Sequence, residues 1–236
     1  MMEVRVAVAK LPKSGLLESG DTVEIVERPR GGLTAIMADG QTHGRAAKRV
    51  SHLVVAKAAQ LIGDGVRDGA VARGVHDHLY AVRDGKVSTE LTMVSVDFRT
   101  KSLVISRNSR VPILFRHGDG RVERLEQYVD PIGVHEAMKP VITEVPLEVG
   151  ALVLVFTDGV YSAGERYGVR LDMAAVEALV ASADPNDVRT LVDAVLARSL
   201  HLDRNLPADD MSVMAVALAP AAAGAPIRHM QVSMPM

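Results

Sequence analysis

The chain contains no cysteine, and that absence excludes more functions than any residue present. Without a thiolate there is no disulfide, no cysteine-bound zinc or iron–sulfur cluster, and no mechanism with a cysteine nucleophile. Phosphate-ester hydrolysis through a cysteinyl intermediate is excluded with them. Tryptophan is also absent, and only 3 Phe and 4 Tyr occur in 236 residues, so the core must be aliphatic. Few aromatics leave little on which nucleic-acid bases could stack. A formal net charge of −2 gives no attraction toward nucleic acid or an anionic membrane. No apolar run is long enough to span a bilayer, and the opening MMEVRVAVAK lacks the apolar stretch of a signal peptide. The expected compartment is the cytoplasm.

What is present reads as one globular domain. Hydrophobic residues make up 48% and charged residues 24%, and a chain of this length can bury a substantial core. Short apolar or alternating stretches at residues 4–9, 22–26 and 33–38 predict strands, separated by turns such as Arg28-Pro29-Arg30-Gly31-Gly32. The period then becomes helical, with Ala46, Val50, Leu53, Val54, Ala58, Leu61 and Ile62 on one face, and Val71, Val75, Leu79 and Val82 on a second helix. Strands are predicted again at 91–98, 103–106, 111–115 and 151–156, helices at 173–180 and 188–200, and a closing strand at 211–218. Strands grouped with strands, and helices in sequential pairs, predict an α+β fold with antiparallel sheets, helix pairs covering two packed sheets. The domain is expected to occupy residues 1–218, and the Ala- and Pro-rich tail 219–236 to be disordered.

Six Asp-Gly pairs punctuate the chain. Those at Asp64, Asp68, Asp84 and Asp119 read as turns between elements. Asp39 and Asp158 differ, because each directly follows a buried-looking strand, where a poorly hydrated carboxylate wants a cation. Asp209 and Asp210 precede the last strand, and Asp21 precedes another. Separated carboxylates at strand ends suit hard divalent cations with oxygen ligands, Mg²⁺ or Mn²⁺. The glycine-rich segments do not compete with this reading. Gly15-x-x-x-x-Gly20-Asp21-Thr22 carries Asp21 where a phosphate loop needs Lys, and Gly63-x-Gly65-x-x-x-Gly69 misses dinucleotide spacing. His76 and His78 have no metal-ligand spacing and read as surface or core residues, and Arg107 and Arg110 could approach a phosphate or be ordinary exposed strand-end arginines, the commoner case.

In this order, Ser19-Gly20-Asp21, Ala38-Asp39-Gly40-Gln41-Thr42-His43-Gly44, Phe156-Thr157-Asp158-Gly159-Val160 and Asp209-Asp210-Met211-Ser212-Val213 resemble the motifs of the metal-dependent type 2C protein phosphatases. Within these the chain resembles the stage II sporulation protein E family. Arg107-Asn108-Ser109-Arg110-Val111-Pro112 and Asp130-Pro131-Ile132-Gly133 sit where that family has similar segments. The resemblance implies a four-layer αββα sandwich and a centre of two Mn²⁺ or Mg²⁺ ions. In it, Asp39 would bridge both ions and the Gly40 carbonyl would bind one. Asp158 and Asp209 would hold the first ion, and Asp21 would serve the second through water. Asp39, Asp158 and Asp209 are thus the expected catalytic set. Because neighbours on a strand face opposite sides, Asp210 is expected to turn away from the ion that Asp209 binds.

Two positions depart from the family pattern. Gln41 stands where eukaryotic relatives place a leaving-group acid, and His43 could substitute, although a His before a helix is more often a capping or packing residue; Glu24 stands where many have a second Asp and otherwise reads as a solvated strand residue. The resemblance further implies a phosphoserine or phosphothreonine substrate on a regulatory protein, such as a STAS-domain anti-sigma antagonist or a stressosome component. With no sensor domain expected ahead of the phosphatase domain, the chain is closer to the stand-alone stressosome phosphatases than to the partner-activated ones. A two-metal nuclease and a non-catalytic binding module with this fold are the rival readings. The first is disfavoured by the missing basic stripe, the second by the full set of carboxylates.

Overall fold

The computed structural model describes residues 2–41, 44–221 and 228–233. In chain order the elements are β1 (Met2–Leu11), β2 (Thr22–Glu27), β3 (Gly32–Gly40), α1 (Gly44–Gly63), α2 (Asp68–Arg83), β4 (Thr89–Asp97), β5 (Ser102–Asn108), β6 (Ile113–Arg116), β7 (Val122–Leu125), β8 (Val141–Pro146), β9 (Leu152–Phe156), α3 (Asp158–Tyr161), α4 (Met173–Ser182), α5 (Val188–Leu202) and β10 (Met211–Pro220). Two five-stranded antiparallel sheets form, ordered β1-β10-β9-β6-β7 and β2-β3-β4-β5-β8.

The period-2 alternation of the strands accounts for the layering. On β10, Met211, Val213, Ala215 and Ala217 pack toward α4 and α5, while Met214, Val216 and Leu218 enter the space between the sheets. On β3, Ala35 and Met37 face between the sheets, and Ile36 and Ala38 lie under α1 and α2. Both faces of both sheets are therefore covered, which is why the central strands read as continuous apolar runs such as Leu152–Phe156. Three apolar layers separate four structural ones, in the αββα order expected.

Some elements differ from the sequence expectation. The short edge strands β7 and β8 and the single turn of α3 lack enough apolar pattern to be read in advance. Strand β6 begins at Ile113 because Val111 and Pro112 still belong to the turn before it. The closing strand β10 runs on to Pro220, and the tail expected beyond residue 218 falls in part, at 222–227 and 234–236, outside the described residues.

Asp68 corrects the reading of its Asp-Gly pair as a simple turn, while Asp64, Asp84 and Asp119 do stand in exposed turns. It is the first residue of α2 and is buried, with Arg28 Nη1 3.3 Å from its Oδ1 and Ser95 Oγ–H also donating to it. Arg28 further donates to Thr34 Oγ1 at 2.9 Å and to Ser95 Oγ at 3.0 Å. A buried carboxylate needs such partners, and its place at a helix N-terminus suits its charge.

The Asp130–Gly133 segment braces the start of β4. Ile132 forms a two-way backbone bridge with Thr89, Asn108 Nδ2 donates to the Asp130 carbonyl at 3.0 Å, and Gly133 N donates to the buried His76 Nδ1 at 3.1 Å. Gly133 has φ of 100°, and a Cβ there would lie 2.5 Å from both Leu79 Cδ2 and the Val87 carbonyl. Gly133→Ala is therefore expected to lower stability by about 3 kcal/mol in urea denaturation, combining left-handed backbone strain with overpacking. A loss below about 1 kcal/mol would show that the segment is not a brace.

Candidate metal centre

The alternation that builds the inter-sheet core also builds a row of acids at its end. Asp39 continues the inward face of β3 after Ala35 and Met37, at the point where the strand stops. Asp39 pairs directly with Glu90 on β4, and Thr22 pairs with Ala38, so Asp21 falls one step beyond that pair, beside Asp39. Three carboxylates thus lie on adjacent strands of one sheet, where cross-strand neighbours stand about 5 Å apart. The other sheet brings Asp158 on the first turn after β9 and Asp209 just ahead of β10. A cavity of ≈ 10 Å³, room for about one water, lies between the sheets, lined by Met37, Asp39, Glu90, Thr92, Ser109, Val155, Phe156 and Thr157.

Each carboxyl responds to this crowding. Asp21 is 1% exposed, and burial pushes its pKa up to about 7 against the opposing hydrogen bond from Ser212. Its Oδ2 accepts from Ser212 Oγ at 2.5 Å and Thr157 Oγ1 at 3.2 Å, while its buried Oδ1 has no partner among the described residues. Burial also raises Asp39 well above the usual carboxylate range, helped by the charges of Asp21, Asp158 and Glu90. Asp158 stands at the rim with part of its surface exposed, yet loss of hydration around its carboxyl, then the charges of Asp209 and Glu90, raise it too. Asp39 and Asp158 stand close enough for each to act on the protonation of the other, as two carboxyls do when they share a proton.

Other groups hold the row in place. Lys10 Nζ and Lys48 Nζ each donate to the Asp21 carbonyl at 2.7 Å, and burial, then the neighbouring Lys48 charge, lower Lys10 to about 8. Asp210 is buried and turned from the row, its Oδ1 accepting from Lys13 N and its Oδ2 from Gly20 N, both at 2.9 Å. Asp209 is half-buried, and its Oδ1 accepts from Asp210 N at 2.9 Å. Asp203, which belongs to no motif and no strand end, accepts from Gly164 N at 2.8 Å and Ala208 N at 2.7 Å. It thereby ties the turn after Asp158 to the residue before Asp209. Close backbone approach completes the frame. A Cβ on Gly40 would sit 2.3 Å from the Ala47 carbonyl, and one on Gly159 would sit 2.2 Å from the Asp210 carbonyl.

Several candidates fall elsewhere. Arg107 is 2% exposed and spends its guanidinium on the carbonyls of Ser109, Val111 and Gln127, so it is a structural cation and not a phosphate ligand. Arg110 is exposed, and its backbone N donates to Glu90 Oε1 at 3.1 Å. Gln41 Oε1 accepts from Ser88 N at 2.9 Å, closing the end of the β3–β4 ladder. Thr42 and His43 lie outside the described residues. Glu24 is exposed on β2, on the side of the sheet away from Asp21.

The residues fit hard divalent cations. The donors are all oxygen, Asp21 Oδ1 is buried without a partner, and the acids repel one another unless protons or cations intervene. Among the described residues no three acidic or histidine side chains already surround one point. Mg²⁺ needs no such closed cage, since it retains several waters and is bound through one or two carboxylates. Raised pKa values also carry a consequence for the metal-free protein. A folded state that binds protons more tightly than the unfolded chain is favoured below the ordinary carboxylate pKa and loses that advantage as pH rises through the folded one. With chelator present, the melting temperature is expected to fall as pH rises from about 5 to about 7.5, and Asp21→Asn to flatten that slope. An unchanged slope in the variant would remove Asp21 from the coupling.

The sequence profile of the stage II sporulation protein E (SpoIIE) family matches residues 29–219, and no curated protein matches the chain. Among solved structures, the PP2C phosphatase domain of SpoIIE from Bacillus subtilis with a fragment of its regulatory domain superposes with a TM-score of 0.78 at 19% identity. That match covers 91% of this chain but 63% of the other, so the chain spans less than two thirds of that structure. The SiaA-PP2C domain of Pseudomonas aeruginosa gives a TM-score of 0.74 at 19% identity, covering 90% and 85% of the two chains. RsbX in complex with magnesium gives 0.67 at 13% identity, covering 93% and 100%. At these identities the structures establish the shared αββα fold, and the profile match over most of the sequence establishes the lineage: the chain belongs to the stage II sporulation protein E family.

Proposed function

We propose that the chain is a metal-dependent protein serine/threonine phosphatase and that the acidic row is its active centre. The observation that carries this reading is the row itself, with Asp21, Asp39 and Glu90 side by side, Asp158 and Asp209 arriving from the opposite sheet, and Asp21 Oδ1 left without a partner. Asp39 would hold both ions and the Gly40 carbonyl one of them. Asp158 and Asp209 would hold the first ion, and Asp21 the second through water. When bound, Mn²⁺ or Mg²⁺ supplies an acidified water and neutralises charge on the phosphoryl oxygens.

The chain's own residues supply position and exclusion. Thr157 and Ser212 fix the Asp21 carboxyl, Lys10 and Lys48 fix its backbone, and the apolar floor of Met37, Val155 and Phe156 keeps bulk water from below. Gln41 is an amide held by Ser88 N, and it has no proton to give a leaving alkoxide at neutral pH. We extend the reading to a phosphoserine or phosphothreonine on a small regulatory protein, such as a STAS domain. Support comes from fold neighbours that include the RsbU and RsbW domains of Rv1364c from Mycobacterium tuberculosis, at a TM-score of 0.69, and a bacterial stressosome structure, at 0.65.

Phosphoserine-peptide and p-nitrophenyl phosphate hydrolysis test this directly. Activity is expected to require Mn²⁺ or Mg²⁺, to vanish with chelator and to return on adding metal. Asp39→Asn should fall below about 1% of wild type, a loss of more than about 2.7 kcal/mol of transition-state stabilisation. Chelator-insensitive turnover, or an Asp39→Asn enzyme within a few-fold of wild type, would sink the proposal.

The adjacent acids before β10 separate ligand from frame. Asp209→Asn should lose nearly all turnover. Asp210→Asn should retain most of it at saturating Mn²⁺, a gap of at least about a hundredfold. Since Asn can accept at only one of the two positions now taken by Lys13 N and Gly20 N, Asp210→Asn should cost about 1–2 kcal/mol of stability instead. The reverse ranking in turnover would exchange the two roles.

A further inference from the structure

None of the motifs that identify the centre includes Glu90, yet its placement is as specific as theirs. It is the direct cross-strand partner of Asp39 and shares the inward face of β4 with Thr92, Val94 and Val96. It borders the same small cavity as Asp39. Its carboxyl is aimed by two donors from the next turn, Ser109 Oγ–H to Oε2 at 2.6 Å and Arg110 N–H to Oε1 at 3.1 Å. Each oxygen keeps a further lone pair, so the carboxylate is oriented without being saturated.

Placing that charge against Asp39 has an energetic cost. Like charges directly opposite on paired strands destabilise a sheet. Here Glu90 stands directly opposite Asp39 in the ladder. Nothing in the sandwich requires an acid at this position, because the turn donors would be met by any acceptor and the inward neighbours along β4 are uncharged. A second feature of the row points to a cation. On the other side of Asp39, Asp21 is 1% exposed and its Oδ1 has no hydrogen-bond partner among the described residues.

We infer that Glu90 is a further cation-binding carboxylate of the centre, acting with Asp39 on the β4 side, directly or through one metal-bound water. The inference rests on the metal-centre reading above and deepens it. Its chemistry is that of an added oxygen donor and negative charge, which tightens binding of a hard divalent ion. A purely structural Glu90 would anchor only the Ser109–Arg110 turn.

Calorimetric titration of the metal-free protein with Mn²⁺ alone, without substrate, distinguishes these. Glu90→Gln is expected to weaken Mn²⁺ binding by about tenfold or more, the scale on which close partners of a metal site act. Its metal-free melting temperature is expected to be unchanged or higher, because repulsion against Asp39 is relieved. Binding within about twofold of wild type overturns the role of Glu90 while leaving the metal centre standing. Wild-type protein that binds no Mn²⁺ overturns the metal centre itself, and this inference with it. Should Glu90→Gln fail to fold, Glu90→Asp decides. With the charge kept but the reach shortened, the dissociation constant should rise at least about threefold, and an unchanged constant overturns the inference.

Discussion

The constraint on which this structure depends is electrostatic: several carboxylates must be held together in a partly dry space where each raises the cost of ionising the next. Asp39 carries the most of it, since Asp21, Asp158 and Glu90 all act on it and burial acts before any of them. An ordinary fold relieves such crowding by letting side chains swing into water. This one prevents it. The sheets fix Asp39 and Glu90 by register, α1 sends Lys48 to the Asp21 backbone, and β1 sends Lys10 to the same carbonyl. Crowding of this kind favours whatever neutralises it, protons at low pH or divalent cations at neutral pH. Cation binding is then linked to folding, because the unfolded chain cannot assemble the row.

The frame behind the row explains two of the tightest contacts in the molecule. Gly40 lets α1 begin directly against the end of β3, and Gly159 lets the turn after β9 lie against the backbone of Asp210. A methyl group at either place would push apart the elements that carry Asp39 and Asp158. The same closeness lets Ser51 on α1 donate to the Gly20 carbonyl at 2.5 Å, so the Asp21 loop is held from the helix side as well. Strand ends with short, tightly braced connections are rigid supports for a site, and here they come from both sheets at one end of the sandwich.

Much of this was legible in the sequence, for physical reasons. Sheets covered on both faces give unbroken apolar strands, and helices covering them give clear three-and-four spacing, so the central elements and the αββα class could be read. Edge strands such as Val141–Pro146 and the four-residue turn after Thr157 carry too little pattern for that. Asp21, Asp39, Asp158 and Asp209 were visible because each stands where a strand begins or ends. Glu90 was not, since the strand predicted at 91–98 left it just outside, whereas β4 begins at Thr89. Only the pairing with Asp39 shows that it faces inward. Asp68 and Arg107 were misread for a related reason. Their partners, Arg28 and the Gln127 carbonyl, are 40 and 20 residues away along the chain, and local sequence cannot show a buried pair made by distant segments.

Hydrogen-bond saturation sorts the acids in a way that neither burial nor sequence position does. Asp203 and Asp210 are both almost fully buried, and each has both oxygens occupied by backbone N–H donors from two different segments. Such a carboxylate has spent its directional capacity on the chain. Asp21 is just as buried but keeps one oxygen without a partner among the described residues, and Asp39 is crowded by other acids. These have capacity left, and only a proton or a cation can use it. The neighbours Asp209 and Asp210, identical in chemistry and adjacent in sequence, thus fall into different classes. One anchors the loop of Asp21, and the other stands half-exposed beside Asp158, raising its pKa. The clamps are what keep the unsaturated acids from finding donors of their own, and that denial preserves their capacity for a ligand.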